Sequence, residues 1–111
     1  MERQWADAVR HYSKAIELNP RDVEAYFRRA ATLEVMGRSK EAMADLEQVL
    51  KLRPDHYLAM EYLAKLCEKD GQHSRAVALY AKALPLVQDK KWRSVVKVWM
   101  SAAAAKMKGP K

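Results

Sequence analysis

The chain of 111 residues has one cysteine, three glycines and four prolines. The lone Cys67 excludes an internal disulfide, and the scarcity of glycine and proline leaves few places where a helix must stop. No run of about 18 apolar residues is available to cross a bilayer. Nor does the N-terminus join a basic start to an uninterrupted apolar stretch, so no secretory signal is expected. These absences set an intracellular, cytoplasmic protein as the default. No glycine-rich phosphate loop occurs, because the glycines are isolated. His11, His56 and His73 are too scattered for a metal or triad spacing, and Cys67 lacks a nearby basic companion that would activate a thiol. Neither catalysis nor a metal or cofactor is expected.

What is present favours helix. Half of the residues are apolar, and Ala, Leu, Glu, Lys, Arg and Met dominate, which points to an all-α chain with enough apolar material for a continuous core. The net charge of +7 is concentrated at one end. Up to Gln88 there are 14 basic and 13 acidic side chains, whereas from Asp89 onward 7 basic side chains face 1 acidic one.

Several landmarks recur every 34 residues: Ala8, Ala42 and Ala76; Ile16, Leu50 and Leu84; Leu18, Leu52 and Leu86. The pairs Gly37 and Gly71, Ala30 and Ala64, and Pro20 and Pro54 keep the same step. Such a period is the mark of a stacked repeat. Within a unit, Asp22 after Pro20 caps a first helix with the stripe Tyr26, Ala30, Leu33 and Val35, and Gly37 ends it. Ser39 is placed to cap a second helix through Ala42, Met43, Leu46, Val49 and Leu50, which Pro54 stops. The next unit repeats this with Ala59, Met60, Leu63, Ala64 and Cys67, then Gly71, then Ser74 to Leu84.

These residues resemble the tetratricopeptide-repeat family. Gly37 with Ala42, Leu46, Val49 and Pro54, and Gly71 with Ala76, Tyr80, Ala83 and Leu84, fall where that family places its turn glycine, small alanine and second-helix packing residues. The resemblance covers roughly residues 5 to 86 and implies a right-handed solenoid of antiparallel helix-turn-helix repeats with about six helices. Expected boundaries are a second helix of a truncated repeat over 4–20, repeats over 22–54 and 56–88, and a basic capping helix with a frayed end over 89–111. Departures are Arg29 at a usually apolar position, Cys67 for an aromatic, and Gln88 for the closing proline, so the helix after Leu84 should end differently or run on. A repeat opened by its second helix should leave Trp5 partly uncovered and promote a homo-oligomer through that end.

The resemblance further implies that first helices line a concave groove. Helical spacing then selects Glu24, Phe27, Arg28, Ala31 and Glu34 in one repeat. In the next it selects Leu58, Glu61, Tyr62, Lys65 and Glu68, with Phe27 and Tyr62 as aromatic anchors for a protein or peptide partner. The segment Glu24 to Ala30 is similar to the part of chaperone-binding members that grips a C-terminal carboxylate. Arg28 matches the clamp's arginine, while Glu24 reverses the charge of its lysine. The leading expectation is therefore an interaction scaffold holding a peptide or helix. Its alternatives are a structural, oligomerising segment of a longer solenoid, a co-chaperone with a degenerate clamp, and repeats that place substrates for a catalytic domain elsewhere. Lys90 to Met107 forms an amphipathic stripe through Trp92, Val95, Val96, Trp99 and Ala103, expected to cap the last repeat, with a membrane surface or a calmodulin-like groove as alternatives. Without a base-reading motif, nucleic acid is not the expected partner.

Overall fold

A computed structural model describes residues 2–108. Among the described residues six α-helices follow one another: α1 (Glu2–Leu18), α2 (Val23–Val35), α3 (Ser39–Leu52), α4 (Tyr57–Lys69), α5 (His73–Ala83) and α6 (Lys90–Lys108). A 3-10 turn, Leu84–Leu86, lies between α5 and α6. No strand occurs among the described residues, so the all-α expectation holds. The chain forms two compact units, Met1–Pro54 and Asp55–Lys111.

In the first unit α2 packs against both α1 and α3. Asp22 accepts the Ala25 backbone N–H at 3.1 Å, filling one of the orphan donors at the start of α2. At its other end, the Arg38 N–H reaches the Leu33 carbonyl at 2.8 Å and the Gly37 N–H reaches Glu34 at 3.0 Å. This closure requires positive φ, which Gly37 supplies at 81°. The second unit repeats it, with Gln72 to Cys67 at 2.8 Å, Gly71 to Glu68 at 3.0 Å and Gly71 at φ 79°. Two antiparallel pairs therefore use one turn chemistry.

The repeated alanines explain how the pairs close. Ala30 and Ala42 in the first unit, and Ala64 and Ala76 in the second, are all at 0 % exposure. Side chains this small let two helix backbones approach with little intervening volume. Leu33, Met43, Leu46 and Val49 fill the rest of the first core, and Met60, Leu63, Leu66, Cys67, Tyr80 and Ala83 fill the second.

Three local expectations are corrected. Ser39 is not a cap: it is the first residue of α3, the cap position belongs to Arg38, and no side chain bonds there. α5 likewise begins at His73, before Ser74. Val35 is 54 % exposed and sits outside the core stripe. After α5 the chain ends its helix differently, as the loss of a proline at Gln88 suggested: Pro85 lies in the 3-10 turn and Val87 is extended and buried. The helix of the last segment holds through Lys108, and the rest of the end expected to fray, 109–111, lies outside the described residues.

Candidate binding faces

On α2, Glu24 and Arg28 lie one turn apart and both are exposed. The Arg28 guanidinium donates to the Glu24 carboxylate at 2.7 Å. That bond raises the Arg28 pKa further above its ordinary value, and Tyr12 adds to it in the same direction. Phe27 and Ala31 are half-buried beside this pair. The face therefore carries a self-neutralised ion pair next to an aromatic ring. An incoming carboxylate would compete with Glu24 for the guanidinium and would be repelled by it.

The neighbouring face of the first unit is built by a residue that resemblance marked only as a departure. Arg29 donates twice to Asp45, at 2.8 Å to each carboxylate oxygen, and once to Ser13 at 3.0 Å. Asp45 is buried, so this fork satisfies a carboxylate largely withdrawn from water. The arginine is held by hydrogen bonding to Asp45, which outweighs its desolvation and raises its pKa. A cleft of about 340 Å³ opens over it, lined by Val9, Ser13, Leu33, Arg38, Glu41 and Ala44. In that cleft Arg38 is itself paired with Glu41 at 2.6 Å.

On α4 the structure separates residues that spacing had grouped. Tyr62 and Lys65 are half-buried and Leu58 is exposed, but Glu61 is only 4 % exposed. The Trp92 indole N–H of α6 donates to both Glu61 oxygens, at 3.0 and 3.2 Å. Burial pushes the Glu61 carboxyl up, against the opposing pull of the Trp92 bond and the Lys65 charge. Lys65 stands 3.5 Å from the centroid of the Trp99 ring, and burial lowers its pKa although Glu68 and Glu61 favour its charge. Trp92 and Trp99 meet edge to face at 5.4 Å, and Trp99 tilts against Tyr80 at 6.2 Å. The Tyr80 hydroxyl donates to Glu68 at 2.6 Å, and its own pKa rises through burial and that bond. Glu61 and Lys65 are thus occupied by α6. Their register on α4 turns them toward the helix that stacks next.

Comparison with known proteins places the chain. A sequence profile described as tetratricopeptide repeat matches residues 32–91, and a second of the same description matches 11–44. The chain belongs to the tetratricopeptide-repeat family. Sperm-associated antigen 1 of Mus musculus is 37% identical over 76 residues, which is 68% of this chain and 8% of that protein. Hsp70-Hsp90 organizing protein 2 of Arabidopsis thaliana is 43% identical over 53 residues, 48% of this chain and 9% of that one. The chain thus spans a small part of the curated relatives it matches. Among solved structures, the P58(IPK) tetratricopeptide-repeat domain superposes with a TM-score of 0.86 at 28% identity, covering 95% of this chain and 29% of that one. The TPR2B domain of yeast Sti1 in complex with pHsp70 shares the fold, with a TM-score of 0.83 at 21% identity. Repeats of this family and fold are typically interaction modules without enzymatic activity.

Two features escaped the sequence reading. The Arg29–Asp45 fork joins residues 16 apart, and the Trp92–Glu61 bond joins residues 31 apart. The one available signal for the first was an arginine at a position the repeat normally keeps apolar, for which a buried carboxylate is the expected companion.

Proposed function

We propose that the chain holds a peptide or helix of a partner protein on the exposed face of α2, with Phe27 as anchor and Glu24, Arg28 and Ala31 around it. The observation that supports this reading is the half-buried aromatic beside a solvent-facing ion pair, the arrangement in which partner binding energy concentrates. On α4, Tyr62 is the residue assigned a partner contact. Glu61 and Lys65, which spacing also pointed to, contribute only where α6 releases them. A cytoplasmic setting belongs to the same reading.

Relatives named as chaperone-organising proteins make an acidic C-terminal peptide a natural ligand to consider. The Glu24–Arg28 pair argues that this chain does not take one strongly, because Glu24 both neutralises the arginine and repels the peptide end. Titration with a synthetic peptide ending in two acidic residues tests this. Glu24→Lys should tighten binding by about tenfold by removing one repulsion and adding one attraction, and Phe27→Ala in that background should reverse the gain. No gain with Glu24→Lys would show that the α2 face is not where peptides are read.

A second reading follows from α1, which has no buried residue and leaves Leu18 77 % exposed. Its apolar stripe, from Trp5 to Ile16, would make a contact between two copies. Sedimentation over a range of concentrations tests it: a monomer throughout would remove this reading.

A further inference from the structure

α6 carries a second, separate surface. From Lys90 to Lys108 it holds no acidic residue. Its apolar side packs largely within the second unit, where Val96 and Ala103 reach 0 % exposure and the two tryptophans lie on Glu61, Lys65 and Tyr80, with Trp92 36 % and Met107 49 % exposed. The opposite side remains open. Ser94, Val98, Ser101, Ala102 and Ala105 form a shallow exposed stripe at helical spacing, with Val98 66 % exposed at its centre. Lys90, Lys91, Arg93 and Lys97 stand along and beside the stripe, all exposed, and no ion pair among the described residues engages their side chains. The Ser94 hydroxyl is already satisfied by the Lys90 carbonyl at 3.2 Å, so the stripe presents no unmet polar demand.

We propose that this open face docks an acidic amphipathic helix of a partner protein. Small side chains along the stripe allow a second helix to approach closely, Val98 gives it an apolar contact, and the cations meet carboxylates flanking the partner's own apolar seam. A second α6 is a poor occupant, since like charges would face each other. An anionic bilayer is disfavoured because the tryptophans that would enter it are docked on α4 and α5, leaving Val98 as the one large exposed apolar side chain on the stripe.

The test uses the whole chain and four probes. These are a synthetic helix with glutamates flanking an Ala/Leu seam, polyglutamate, vesicles of phosphatidylserine and phosphatidylcholine in equal parts, and a DNA duplex. The helix should bind best, with affinity falling as salt rises. Arg93→Glu with Lys97→Glu should weaken it by about tenfold or more. Ala102→Gln, which adds bulk without charge at an exposed position, should weaken the helix severalfold while leaving polyglutamate unchanged. Circular dichroism and tryptophan fluorescence would confirm that each variant keeps α6 folded and docked. Equal binding of polyglutamate, tighter binding of vesicles or duplex, or an Ala102→Gln variant that binds the helix normally would each overturn the proposal.

Discussion

Arg29 shows what one side chain can settle. Replacing it with leucine restores the apolar residue usual at this place in the repeat, yet it strands Asp45, which is 6 % exposed, without its two charge-assisted bonds. Arg29→Leu should therefore lower stability by about 3 kcal/mol in urea titrations, and Arg29→Leu with Asp45→Leu should recover most of that loss. A double variant no better than the single would mean that the fork is not what Arg29 contributes. Glu61 gives a second case with a definite pH sign. Its carboxyl is raised by burial, so as pH increases the unfolded chain gives up this proton first and the folded state loses stability until the raised value is passed. Glu61→Gln keeps an oxygen for the Trp92 N–H and removes the titration. The variant should be at least as stable as the parent at neutral pH, with the two converging in acid. A variant that loses stability at neutral pH would show that the carboxylate's bonds to Trp92 and its field on Lys65 outweigh its burial.

Among the elements, the helix ends were the most legible part of the sequence. Gly37 and Gly71 mark the turns because only positive φ lets the chain close its carbonyls there, and an added Cβ at either would meet nothing within 4 Å. The cost of Gly37→Ala is thus conformational alone, about 1–2 kcal/mol, read as a lower denaturation midpoint with an unchanged slope. An unaltered midpoint would contradict the account of that turn. Helix starts were less legible. Asp22 caps as its position suggested, but Ser39, the expected cap, is instead the first residue of α3, because hydroxyl side chains also tolerate the first helical turn. The partners of α6 were not legible at all. Trp92 and Trp99 announce an apolar stripe, whereas their choice of Glu61 and Lys65 depends on how helices stack, and a 34-residue period carries no record of pairs 31 and 34 positions apart on unlike helices.

At the scale of the molecule, the repeat was read from alanines and glycines at fixed steps, and the family match over residues 32–91 spans Gly37, Ala42, Ala64, Gly71 and Ala76 among them. The binding face was legible only as a set of candidates. On α2, Glu24 and Arg28 are exposed and Phe27 and Ala31 half-buried, while Glu61 and Lys65 are engaged by tryptophans of α6. The most direct measurement is a comparison of partners captured from lysate by the parent chain and by the Phe27→Ala, Tyr62→Ala double variant, after both are shown to be equally helical. Partners held by the parent and lost from the folded variant are the result this account predicts. The same partners retained by the variant would contradict it.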